Sequence, residues 1–149
     1  MTTTQELLQA VRDRLFYFYG DQVPIYMDEQ KEGFDAPSFF IREIMNRTGR
    51  LWNNRREKTS VIDVAYFSEM LPKRNIPDRQ DMQAVQDVLS LGLEVITDRA
   101  GNPVRGDDIQ AEIVDGVLHI TVTYSYFILL VEPKAPYMET LTQNQNIGG

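Results

Sequence analysis

Residues 111–131, AEIVDGVLHITVTYSYFILLV, constrain the fold more than any other stretch. Asp115-Gly116 is a two-residue hairpin signal, because a type I′ turn needs positive φ at both central positions. Beyond it Leu118, Ile120, Val122, Tyr124, Tyr126, Ile128 and Leu130 fall on one face. His119, Thr121, Thr123 and Ser125 fall on the other, until Phe127 breaks the polarity. Period two in β-branched and aromatic residues predicts a strand. Its length of about 14 residues, against a usual five or six, places it centrally in a sheet. Its apolar face demands a helix layer or a second sheet.

The remaining segments supply that layer. Thr3 and Glu6 form a capping-box pattern ahead of Leu7, Leu8, Val11, Leu15 and Phe18 at helical spacing. Gly20 and Asp21 are the expected stop. A short strand is predicted over residues 23–27 and a charged turn over 28–33. Gly33 is expected to take positive φ and Phe34 to be buried ahead of Pro37. Residues 38–45 read as a strand, with Phe39, Ile41 and Glu43 on one face and Phe40, Arg42 and Ile44 on the other. Residues 60–67 read as another, with Ile62, Val64 and Tyr66 together. Residues 46–59 are too polar for a core element and predict a projecting hairpin, turned at Thr48-Gly49, with Leu51 and Trp52 near its tip. Pro72 and Pro77 bracket a loop. Asp78 caps a second helix to about Leu91, with the stripe Met82, Val85, Val88 and Leu89, and Gly92 just past its end. Residues 93–97 give a short strand and 100–108 a turn-rich connection.

The predicted fold is therefore α+β. It has a mixed, mainly antiparallel sheet, two helices packed on one face, and a β-hairpin arm. One domain over residues 1–131 precedes a polar tail, 132–149, that ends in NQNIGG. A chain of 149 residues is long enough to bury roughly two-thirds of its unfolded surface. There is no internal repeat. No apolar run approaches the 18 or so residues of a membrane helix, and MTTTQELLQ does not read as a secretory signal.

The chain has no cysteine, so thiolate catalysis, disulfides and cysteine metal sites are excluded. No phosphate loop or dinucleotide fingerprint is present. His119 is the only histidine and has no activating motif beside it, so it reads as a surface or interface residue. Asp107, Asp108, Glu112 and Asp115 are a loose acidic cluster. They offer oxygen ligands to a hard cation, but their spacing matches no calcium loop, and Asp and Gly are ordinary turn residues. No cofactor is expected.

Charge is unevenly spread. The whole chain is −7, yet residues 47–58 carry Arg47, Arg50, Arg55, Arg56 and Lys58 against Glu57 alone. An acidic body disfavours general nucleic-acid binding. A basic segment on it suits self-association, and the plainer alternative is a solvated hairpin. Trp52 among arginines is open to three readings: a partner interface, packing on its own domain, or stacking on a base. The candidate interface is Arg47, Arg50, Leu51, Trp52, Arg55, Arg56 and Lys58.

IYMDEQKEGFDAPSFFI (residues 25–41), NNRREKTSVIDVAYF (53–67) and EIVDGVLHITVTYSY (112–126), in this order, resemble the phage tail terminator family of tailed phages and phage-derived tail particles. The resemblance runs from the first helix to about Val131. It implies a structural, non-enzymatic virion protein in a homohexameric ring at the head-proximal end of the tail tube. Such a ring stops tube growth and offers a surface for head joining. Implied partners are the tail tube protein, a head-tail connector protein and, in a contractile tail, the sheath. DNA passes through the bore without specific binding, no membrane is involved, and assembly occurs in the host cytoplasm. A head-tail adaptor or stopper shares size and ring habit. A rival of another class is a metal-dependent hydrolase or nuclease built on Asp107, Asp108 and Glu112.

Overall fold

The computed structural model describes residues 3–27, 36–71 and 76–130. The chain opens with α1, Thr4–Tyr19. The Thr3 hydroxyl accepts the Glu6 N–H at 3.1 Å, and the Glu6 carboxylate accepts the Thr3 N–H at 2.8 Å. That reciprocal cap satisfies two of the donors a helix start leaves free. Gly20, at φ +61°, ends the helix, and a turn of 3-10 helix follows. β1 is shorter than expected, only Ile25–Tyr26, and runs parallel to the next strand. The predicted turn at 28–33, the conformations of Gly33 and Phe34, most of the loop after Pro72, and the tail from Glu132 lie outside the described residues.

β2 (Ser38–Arg50) and β3 (Arg55–Phe67) pair antiparallel from Ser38↔Phe67 to Arg50↔Arg56. Both outrun their predicted bounds. Thr48-Gly49 does not turn the chain, because these residues pair with Lys58 and Glu57. The reversal comes at residues 51–54, where Asn53 takes φ +62°. Ladder hydrogen bonds satisfy the backbone whatever the side chains, so a polar strand carries little sequence signal.

α2 (Arg79–Gly92) starts at Asp78, whose carboxylate accepts the Asp81 N–H. Val88, assigned to the buried stripe, is exposed, and Gly92 takes the inward place a turn later. Gly92 is the last helical residue rather than the one beyond the end. Its role is close approach: a Cβ there would sit 2.5 Å from Cε2 of Phe18. The Arg14 guanidinium donates to the Gly92 carbonyl at 2.8 Å and lies over the Phe18 ring, tying the two helices.

β4 (Val95–Thr97) pairs with β5 (Pro103–Val114). The predicted connection over 100–108 therefore ends early. A tight turn at residues 98–102 makes it, held by the Asp98 carboxylate accepting the Ala100 and Asn102 N–H groups. Asp115 (φ 52°) and Gly116 (φ 77°) then form the expected hairpin turn into β6, Val117–Leu129.

The sheet order is β1-β2-β3-β6-β5-β4, with only the β1–β2 pair parallel. β6 is central, as its length demanded. Leu118, Ile120, Val122 and Tyr124 are buried against Ile62, Val64, Tyr66, Phe39 and Ile41. Leu7, Val11 and Leu15 of α1 and Met82, Val85 and Leu89 of α2 complete the same cluster, so both helices cover one face. Polar ties lock this layer. Tyr66 donates to Asp81 on α2, and buried Tyr124 donates to the Leu93 carbonyl at 2.7 Å. Burial pushes both phenols well above the ordinary tyrosine value.

Two expectations follow. Gly116→Val should destabilise by more than about 1 kcal/mol, from positive φ and a Cβ 2.8 Å from Pro77. An unchanged urea midpoint would contradict it. Tyr124→Phe leaves the Leu93 carbonyl without its donor and should cost about 1–2 kcal/mol with the fold retained. Chemical denaturation with a native circular-dichroism spectrum checks this, and parental stability would contradict it.

Candidate functional site

The basic segment forms an arm, and the arm is thicker than a hairpin. β6 pairs with β5 only as far as Ser125, opposite Arg105, and the β5 residues beyond pair with β4 instead. β2, β3 and β6 continue beyond that level. β6 runs beside β3 until Leu129 faces Arg55, and the Leu130 N–H donates to the Asn54 carbonyl at 2.7 Å. The arm is thus a three-stranded extension of the sheet. Three paired strands hold their shape far better than an isolated hairpin.

All seven candidate residues lie on this extension. Pairing distributes them over two faces. Past the β2 bulge between Glu43 and Met45, Arg50 joins Arg56 and Lys58 on the side continuous with the helix layer. Arg47 and Arg55 project from the opposite side. The Lys58 ammonium donates to Asn46 Oδ1 at 2.8 Å and to Thr48 Oγ1 at 2.7 Å. The Arg55 guanidinium lies 5.2 Å over the Phe127 ring. Leu51 is half-buried at the turn, and its N–H donates to the Arg55 carbonyl. Trp52 is 79% exposed, which removes packing on its own domain as its explanation.

Three apolar residues that the basic segment did not reveal join this tip. Phe127 (57% exposed) and Leu129 (63%) come from the end of β6, and Leu130 follows it. The signal was present in the sequence, because Phe127 interrupts an otherwise polar face. Ile44 and Met45 are also exposed, at the base of the arm. Exposed apolar side chains therefore sit beside the cations at this tip.

The catalytic alternatives fare differently. On the sheet face away from the helices, His119 Nδ1 lies 3.1 Å from the buried Asp63 carboxylate, and Arg42 Nε lies 3.6 Å from the same group. Sequence reading missed Asp63, whose only trace is a lone carboxylate inside VIDVAYF. A His–Asp pair is half of a nucleophile-activating set. Among the described residues no hydroxyl is hydrogen-bonded to His119, so the pair has no nucleophile beside it. Asp108 and Glu112 are strung along β5, Asp107 sits at its bulge and Asp115 in the turn. Among the described residues no group of three or more His, Cys, Asp or Glu is placed to hold a metal ion. A dent of about 130 Å³ near Arg12, Phe16, Val23 and Ile25 is well below the roughly 300 Å³ at which ligand pockets begin. No described helix is long and apolar enough to cross a membrane.

Comparison with known proteins gives a family and little else. The family model described as "Phage tail terminator protein" matches residues 6–136. No curated protein matches significantly. One solved structure without a functional name aligns over 90% of this chain and 100% of its own, at 12% identity and a TM-score of 0.43, too distant to carry an argument. The family match spans the helices, the whole described sheet and the arm, and the chain belongs to the phage tail terminator family, structural and non-enzymatic proteins that cap the tail tube.

Proposed function

We propose that the chain is one subunit of a homohexameric ring at the head-proximal end of the tail tube, where it stops polymerisation and offers the surface for head joining. The observation that carries this is the family match over residues 6–136. Capping has a physical requirement. One side of the ring must bind the last tube ring, and the other must refuse a further one. An arm with distinct faces and an exposed apolar tip suits such one-sided recognition. The acidic character of the chain as a whole suits a bore through which DNA passes without sticking. Head-tail connector proteins, and a sheath in a contractile tail, would meet the same ring.

In this reading Arg47, Arg50, Leu51, Trp52, Arg55, Arg56 and Lys58 contact a neighbouring subunit or the tube ring. Exposed ion pairs contribute only about 0–1 kcal/mol each, so the charges set orientation and the apolar tip supplies most of the affinity.

Loss of the protein should give tails of irregular, extended length and heads without tails. Electron micrographs of a null mutant check this. Normal-length tails joined to heads would contradict it.

The arm is tested separately. Trp52→Ala should weaken capping of purified tail tubes by about 2 kcal/mol or more, as truncation of a central aromatic anchor does. Arg55→Glu/Arg56→Glu should weaken it mainly at low salt, because the Debye length shrinks from about 10 Å at 0.1 M to about 3 Å at 1 M. Both variants should keep the native circular-dichroism spectrum. Parental capping by both at low and high salt would leave the arm a solvated extension.

A further inference from the structure

The sheet is unfinished at both sides. β1 covers β2 only at Phe39 and Phe40, and β4 covers β5 only from Pro103 to Arg105. The next β5 residue, Gly106, gives its N–H to the Glu94 carbonyl. Among the described residues, nothing pairs with the outer edge of β2 over residues 41–50 or of β5 over residues 107–114. Edges this long invite another strand, and proteins that must keep them free place charged side chains there, lysine above all, or proline or bulges. Neither run contains lysine or proline. Each has a bulge, between Glu43 and Met45 and between Gly106 and Asp108, but a regular stretch follows both.

The two edges are opposite in charge. β2 carries Arg42, Arg47 and Arg50, and its Glu43 is already engaged by Ser60 and Asn46. The free run of β5 carries Asp107, Asp108 and Glu112 and no cation. The faces also agree. Asp108 and Glu112 lie opposite Thr123 and His119, on the face away from the helices. Arg47, opposite Thr59 and thus Ser125, lies on that same face.

We infer that the second copy of this chain is the occupant: β2 of one subunit pairs antiparallel with β5 of the next, a basic edge against an acidic one, with Arg47 on the same sheet face as Asp108 and Glu112. The directions require no adjustment. Successive antiparallel pairing through β2, β3, β6 and β5 leaves β2 and β5 running oppositely, so a rotated copy presents its β2 antiparallel to β5. The contact is head-to-tail, the kind that generates rings when the rotation closes. The free run of β2 lies at the level of β6 residues 120–128, and that of β5 at residues 117–123. This stagger is absorbed when strands tilt to the ring axis, as in any closed sheet. Backbone hydrogen bonds supply the adhesion, and the charges reject β2 against β2 and β5 against β5. The inference rests on the ring proposed above and names the edges that join it.

The test uses charge reversal on exposed residues in cells that make tails but lack the native gene. Asp108→Lys/Glu112→Lys makes both edges basic, and Arg47→Glu/Arg50→Glu makes both acidic. Each alone should lose tail-length control, as the null does. Expressed together they should restore it, because every junction in an alternating ring again pairs opposite charges. Either variant acting alone like the parent would overturn the inference, as would failure of the pair to rescue when both melt like the parent. That second result would point to a strand of another protein on one edge. If a reversal lowers the melting midpoint, Asp108→Asn/Glu112→Gln takes its place with Arg47→Gln/Arg50→Gln. Each neutral variant should then lengthen tails partially, and parental tails from both would overturn the inference. Failure of the parent gene to correct the null would instead count against the terminator function itself.

Discussion

The pairing of β3 with β6 is the interaction on which the rest depends. It runs unbroken from Tyr66↔Leu118 at one end to Arg55↔Leu129 at the other. One half of this ladder is apolar on the helix side and forms the core with Phe39 and Ile41. The other half carries the same two strands past the helices and becomes the arm. A continuous ladder makes the arm a rigid continuation of the core rather than a loop attached to it. A rigid projection loses less conformational entropy on docking, which favours its use as a contact surface.

The same length leaves sheet edges without a neighbouring strand among the described residues. β2, β3, β5 and β6 are each 12 or 13 residues long, while β1 has two and β4 three. Two short strands cannot close edges that long. Among the described residues, hydrogen-bonding backbone is therefore left open on both sides, and apolar side chains are exposed at the tip of the arm. Exposed apolar side chains are unfavourable in water, and an open edge, though hydrated there, is a template for a further strand. The helix layer covers one face of the body of the sheet and is held by Arg14, Asp81 and Tyr124.

Legibility in the sequence followed the strength of the burial pattern. β6 and the turn before it were readable because alternation there is strict and Asp115-Gly116 has one good use. Both helix starts were readable from Thr3–Glu6 and Asp78. The ends of β2 and β3 were not, since residues 46–59 are polar on both faces and only pairing makes them strand. β5 was cut short for the same reason, its acidic residues reading as loop. Val88 was misplaced because Gly92 has no side chain to mark the stripe, yet takes the inward position against Phe18. Among the candidate interface residues, the cations and Trp52 stood out by composition. Phe127, Leu129 and Leu130 join them only through the β3–β6 register, which no local pattern encodes. Asp63 was hidden because its partners, Arg42 and His119, come from two other strands.

Cryo-electron microscopy of the head-proximal end of an intact tail tests this account most directly. It predicts a six-fold ring of this chain seated on the last tube ring, with β2 of each subunit hydrogen-bonded to β5 of the next and Trp52 buried at a contact. A ring joined through the helices, with both sheet edges and Trp52 facing solvent, would contradict it.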